Sequence, residues 1–210
     1  MTNWAWRVAA DVAAELQVRR ATEADAVGIA QVHVQSWHAT YPGILPATEI
    51  ERHTLVRRAG MWARALQVPA HGVLVAVAAD ETGSDEATAG NVHGFASIGA
   101  FRVEPAGGAG QSEGAGAGAG AGEGAGAGEG ELNALYLLPS AQRQGTGRRL
   151  FDAGAHALRE AGFVAMRCWV LQGNPAIAFY ERLGGVRVAS KTFTVDGVAV
   201  EEHCYRFDLP

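Results

Sequence analysis

The stretch Leu132-Asn133-Ala134-Leu135-Tyr136-Leu137-Leu138-Pro139-Ser140-Ala141-Gln142-Arg143-Gln144-Gly145-Thr146-Gly147-Arg148-Arg149 reads as strand, turn and helix start in direct succession. Its apolar run, Leu132 to Leu138, is ended by Pro139, which cannot donate to a strand ladder. From Gly145 to Ala161, residues Leu150, Gly154, Ala157 and Ala161 recur at helical spacing, and Gly162 closes the helix. A helix that starts this way presents N–H groups without carbonyl partners, at the positive end of its macrodipole. Gly145 and Gly147 let a ligand approach the backbone with no Cβ in the way, and Arg143, Arg148 and Arg149 add positive charge. Such a turn can hold a diphosphate on main-chain donors; the same glycines would equally serve tight strand-to-helix packing. It is not a Walker A loop, because no Gly-Lys-Ser/Thr follows. Nor is it the dinucleotide fingerprint, because Leu150 stands where the third glycine belongs.

Working outward, the same alternation continues in both directions. Downstream, Phe163 to Leu171 reads as a strand. Asn174-Pro175 reads as an N-cap with proline at the first helical position, and Ile177, Tyr180 and Leu183 follow at helical spacing. Val186 to Val195 and Val198 to Leu209 flank Asp196-Gly197, a strong hairpin signal. Upstream, Leu16 to Arg20 is a short strand, and Thr22 with Asp25 opens a helix whose expected face is Val27, Ala30, Val34, Trp37 and Tyr41. A second helix is expected after Pro46, with Leu55, Ala59, Trp62 and Leu66 on one side. Val73 to Ala79 and Val92 to Val103 read as the next two strands. This order predicts an α+β (mixed α/β) fold over residues 1–210 as one domain.

Residues 106–130 hold 12 glycines, 8 alanines, three glutamates, one glutamine and one serine. Such a tract buries too little side chain to offset its ordering entropy, so a flexible loop insertion is expected there. The chain has 210 residues, a formal net charge of −5 and 48% hydrophobic residues. This composition excludes a disordered or fibrous chain and gives no basic surface for nucleic acid or anionic membrane. The absence of any 18-residue apolar run predicts no membrane span. Arg7, Asp11 and Glu15 near the start argue against a signal peptide, and a cytoplasmic setting is expected. Two cysteines, Cys168 and Cys204, are too few for a disulfide framework or a structural zinc site. Lys191 is the only lysine.

The run Leu135 to Pro139, the pattern Gln142-x-x-Gly145-x-Gly147, and then Asn174 with Ala178-Phe179-Tyr180-Glu181-Arg182-x-Gly184 together resemble the GCN5-related N-acetyltransferase (GNAT) superfamily. The likeness covers Leu16 to Leu209 in element order. It implies a central, mostly antiparallel mixed sheet of about seven strands, splayed between strands four and five, with about four flanking helices. It further implies acetyl-CoA as co-substrate and no metal. The pantetheine arm would pair with backbone near Leu135 and Leu137, and the pyrophosphate would rest on the turn of Gln142, Arg143, Gln144, Gly145, Thr146, Gly147 and Arg148. Asn174 would cap its helix and bond the pantetheine region, and Tyr180 would protonate the departing thiolate, a transfer between groups of fairly close pKa; by spacing alone Tyr180 shares a face with Ile177 and Leu183 and reads as a core tyrosine.

The remaining roles are less constrained by pattern. Glu131 opens the fourth strand and by alternation shares a face with Asn133, Leu135 and Leu137; it is the candidate general base, and a solvated loop-end glutamate otherwise. His33, His38, His93 and His203 are its rivals. Trp37 and Tyr41, beside Pro42-Gly43, could cage an acceptor ammonium by cation–π contact or simply finish the first helix's apolar face. Cys168 and Cys204 lie on apolar strands and are expected to pack. The expected acceptor is an amine on a small molecule or peptide; the other class of function open to this sequence is a non-catalytic acyl-CoA-binding module. A homodimer is compatible with the superfamily.

Overall fold

The computed structural model describes residues 16–68, 72–78, 92–102 and 125–210. Seven strands form one sheet in the order β1-β2-β3-β4-β5-β7-β6. These are β1 Gln17–Arg20, β2 Gly72–Val77, β3 Val92–Arg102, β4 Ala125–Leu137, β5 Ala165–Leu171, β6 Val186–Val195 and β7 Val198–Asp208. Five helices flank them: α1 Ala26–Thr40, α2 Ala47–Glu51, α3 Leu55–Ala65, α4 Thr146–Glu160 and α5 Ala176–Arg182. All neighbouring strands run antiparallel except β4 and β5.

That exception opens the site. β4 and β5 pair only at Glu129, Gly130 and Glu131 against Ala165, Met166 and Arg167, although β4 continues to Leu137 and β5 to Leu171. Beyond Glu131 the strands part, and the β5-facing backbone of β4 is left for another partner. On its other edge β5 stays paired with β7 from Ala165 to Leu171.

The sheet buries two sides. Leu132, Leu150, Phe151, Leu158, Met166, Cys168, Tyr180 and Phe207 pack together on the side of α4 and α5. Ile29, Ala30, Val32, Trp62, Val75, Phe95 and Ala134 pack on the side of α1 and α3. Burying a Trp or Phe ring of this kind stabilises by roughly 2–3 kcal/mol.

A bulge decides which residues of β4 face which side. The β3 register places Ile98 opposite Leu132 but Ser97 opposite Ala134, so Asn133 is the extra residue. Leu132 therefore lies in the α4-side core and Ala134 in the α1-side core. Upstream of the bulge, a Cβ at Gly130 would strike Leu158 of α4, so Glu129 and Glu131 point the other way. Simple alternation put Glu131 on the face of Leu135 and Leu137; the bulge moves it to the face of Ala134 and Tyr136.

Several sequence expectations need similar correction. β4 begins at Ala125, so the end of the Gly/Ala tract is strand and not loop; residues 106–124 lie outside the described residues. The segment after Pro46 forms two helices, because the chain breaks at Arg52 to Thr54, where Thr54 Oγ1 accepts the Arg57 N–H at 3.4 Å. The described residues thus hold five α-helices, where about four were expected. The α1 stripe is rotated: Ile29, Ala30, Val32, His33, Ser36 and Trp37 are buried, whereas Val27 is 44% exposed. Asp25 sets this start, accepting Arg19 Nη1 at 2.8 Å and Nη2 at 3.0 Å and the Thr22 N–H at 2.7 Å.

Candidate active site

The turn from β4 into α4 matches the phosphate-binding reading in its backbone. Gly145 adopts φ 79° and Arg143 φ 60°, left-handed conformations that point successive amides to one side. The Gln142 amide bonds Pro139 O and the Arg149 amide bonds Gly145 O. Among the described residues, no backbone carbonyl accepts from the amides of Arg143 to Arg148. Space is available too: a Cβ on Gly147 would meet Leu137 and Phe179 only at 3.5 and 3.6 Å.

The side chains of this turn mostly brace it. Gln142 Nε2 donates to Leu137 O at 3.2 Å, Gln144 Nε2 to Ser140 O at 2.8 Å, and Arg148 pairs with Asp152 at 3.2 Å. Ser36 Oγ also donates to Leu137 O, at 3.1 Å. Leu138 N–H turns the opposite way, to His93 O at 2.8 Å. By strand alternation the Leu135 and Leu137 amides therefore face the gap. Thr146 is buried and belongs to the core beneath the turn.

At the inner end of the gap three tyrosines converge. Tyr41 Oη and Tyr136 Oη lie 2.9 Å apart, and Tyr41 also bonds Asn174. Asn174 Oδ1 accepts the Ala176 N–H at 2.8 Å, so one side chain both caps α5 and reaches Tyr41. Tyr180 is 7% exposed and is held by edge-on contacts with Phe179 and Phe207. Burial, reinforced by Cys168 and Tyr41, pushes its phenol well above the ordinary range. It keeps its proton at neutral pH and can act as a donor.

Trp37 is not at the surface of this site. It is 0% exposed, with His53 stacked on it at 3.7 Å and Tyr41 against it at 4.2 Å. Trp37 stands against Tyr41, itself only 4% exposed, and the two rings form one buried wall. Trp37 thus finishes the buried face of α1, the other of its two expected roles.

Behind that wall lie two histidines. His33 Nδ1 accepts from Trp62 Nε1 at 3.2 Å, and the ring stacks on Tyr136 at 5.2 Å. Burial, with Arg58 and His53, holds its pKa well below the usual value. Burial, with Arg58, His38 and Arg57, holds His53 down to about 3. Both are neutral structural groups at physiological pH. His203 faces Val170 across β7, on the α4 side and away from the acceptor. His38 is exposed on α1, and His93 contributes its carbonyl to the β3–β4 junction.

Glu131 faces Gly99 on β3 and Arg167 on β5 and is half-buried on the Tyr136 face. Cys168 faces Tyr205 and Cys204 faces Trp169, so the cysteines point to opposite sides of the sheet. Burial raises both thiols, Cys204 to about 11, so neither is a thiolate at neutral pH.

Sequence reasoning missed Tyr136, Trp169 and Glu202. Tyr136 was hidden inside an apolar strand. Glu202 sits between Glu201 and His203 on β7, is 6% exposed and lies close enough to Tyr41 for its charge to be felt there. Only the register of β7 on β5 puts Glu202 level with Leu171, and no local signal in the sequence gives it.

A parallel pair thus parts beside an amide-rich helix start, with buried phenols at the inner end. Known proteins share this fold. Residues 115–194 match the model of the FR47-like protein family. The chain is 37% identical to an uncharacterized N-acetyltransferase, YuaI of Bacillus subtilis, over 88% of each chain. Its fold matches yncA of Salmonella typhimurium, solved with its cofactor acetyl-CoA, with TM-score 0.63 and 20% identity over 93% of this chain and 95% of that one. It also matches a GCN5-related N-acetyltransferase from Kribbella flavida, with TM-score 0.60 and 23% identity over 93% and 98%. The chain belongs to the GCN5-related N-acetyltransferase superfamily and is an acyltransferase.

Proposed function

We propose that the protein moves the acetyl group of acetyl-CoA to a primary amine of a small molecule or peptide, by direct attack in a ternary complex. The observation that carries this reading is the β4–β5 gap. It opens on one side to the free amides of Arg143 to Arg148 and on the other to Tyr41, Tyr136 and Asn174. No metal is part of the proposal, and a cytoplasmic setting is. No described helix is long and apolar enough to cross a membrane.

In this reading the amides of Leu135 and Leu137 bind the pantetheine arm, and those of the turn bind the diphosphate. Tyr41 lines the acceptor side. The amine must lose a proton before it attacks, and Glu131, on the Tyr136 face, takes it directly or through water. As the new C–N bond forms and the C–S bond breaks, Tyr180 gives its proton to the sulfur. Most of the acceleration then comes from positioning and from main-chain dipoles aimed at the thioester oxygen.

Calorimetric titration of acetyl-CoA into the wild type and Gly147→Glu tests the reading. Binding is expected in the wild type and its loss in the variant, whose carboxylate would stand among the phosphate donors. Thiol release across an amine panel follows. No binding to the wild type overturns the proposal, and binding without turnover of any amine restricts the protein to acyl-CoA recognition.

A further inference from the structure

The acceptor side of β5 already holds an ammonium, and it is the chain's own. Lys191, on the edge strand β6, reaches over β7 so that its Nζ lies 3.1 Å from Glu202 Oε1 and 4.6 Å from the centre of the Trp169 ring. A carboxylate and an aromatic face together are the two elements that recognise an alkylammonium. Trp169 and Glu202 project from the same side of the sheet as Arg167 and Cys204, opposite α4.

The register fixes where this trio stands. Lys191 faces Glu202, and Glu202 faces Leu171. The Leu171 carbonyl accepts the Asn174 amide at 3.1 Å, so the trio is level with the Asn174–Tyr41 end of the gap. Trp169 belongs to β5, the strand that borders the gap, and Glu202 is near enough for its charge to be felt at Tyr41. An amine attacking in the gap would have a second nitrogen of its own at this position if a short alkyl chain joined the two.

Glu202 makes this more than a surface pairing. Its side chain is 8% exposed, whereas that of Lys191 is 37% exposed. A cation that took the place of Lys191 would meet a carboxylate largely withdrawn from water.

We infer, resting on the amine-acetyltransferase reading, that Glu202 and Trp169 form a subsite for the second, non-reacting ammonium of a diamine acceptor, occupied by Lys191 until the acceptor displaces it. The trio thus sets specificity: a monoamine gains nothing from Glu202, and a diamine replaces one ion pair by another while its free amine enters the gap.

The test compares 1,4-diaminobutane with butylamine as acceptors, by thiol release, in wild type, Glu202→Gln and Lys191→Ala, with acetyl-CoA affinity measured by calorimetry in each. In the wild type kcat/KM is expected to favour the diamine by about tenfold or more, the size of one charge-assisted contact. Glu202→Gln should bring that ratio below about twofold. Lys191→Ala, an edge-strand change outside the core, should lower KM for the diamine several-fold by removing the internal competitor. A ratio that survives Glu202→Gln, or a diamine KM that Lys191→Ala leaves unchanged, overturns the inference. Wild type that fails to bind acetyl-CoA would instead sink the underlying acetyltransferase reading, so the two failures are told apart.

Discussion

The two faces of β4 meet the reaction from opposite sides and are assembled in opposite ways. On the α4 face the proposed cofactor turn is local: Gln142 braces Leu137, Gln144 braces Ser140, and the groups offered are backbone amides. On the Tyr136 face the wall is gathered from far apart, with Tyr41 of the α1–α2 connection on Tyr136 of β4 and Thr48 and Arg52 of the α2 region on Asp196 of the β6–β7 hairpin. Backbone donors can serve any member of a superfamily that uses the same carrier. Side chains gathered from separate elements can change with the acceptor and leave the sheet alone.

Tyr180→Phe puts that division under the greatest strain. It should lower kcat on the order of 100-fold, a typical contribution of a positioned proton donor, while acetyl-CoA affinity stays within about twofold. If affinity collapses with kcat, the two faces are not separable functions.

Asp25→Ala should come next. Its carboxylate is buried, which raises its pKa, but bonds from Arg19 and Thr22 outweigh burial and hold it below the ordinary range. A depressed folded pKa means its stabilisation is complete above the unfolded value near 4 and is lost as pH falls through the folded one. With Arg19 partly exposed, the substitution should cost about 2 kcal/mol, read as a lower Tm. The Arg52 and Thr48 partners of Asp196 depress that carboxyl as well. Hydrogen exchange at pH 3 against pH 6 should therefore show α1 and the hairpin losing protection before α4. Equal loss across both faces would break the comparison.

Asn174→Ala sharpens it at the smallest scale. Loss of the cap should cost about 1 kcal/mol and free the Tyr41 hydroxyl, raising the acceptor KM more than the acetyl-CoA Kd. Steady-state kinetics in both substrates would show the difference.

The element order and the shape of the β4–α4 turn could be read from sequence because both are local: proline ends β4, glycines open α4, and Asp196-Gly197 makes a hairpin turn with φ of 47° and 82°. What could not be read was non-local. The Asn133 bulge depends on how β3 lies beside β4, and it alone decides that Glu131 faces Tyr136 rather than the Leu135–Leu137 side. On α1 the expected face held at Ala30, Trp37 and Tyr41 but not at Val27 and Val34, because tertiary packing chose Ile29, Val32 and His33 in their place. Glu202 and Trp169 carried no motif at all. They gain meaning only when β6, β7 and β5 bring Lys191 to them.

The tie between α2 and the hairpin turn, Thr48 and Arg52 on Asp196, also constrains when the molecule becomes whole. Contacts separated by this much chain close late, because the loop entropy must be met before the contact can repay it. A ribosome delivers α1 and α2 long before Asp196. The cofactor turn, by contrast, has both its strand and its helix start within a short stretch of chain. Newly made molecules should therefore grip acetyl-CoA before they can discriminate between amines.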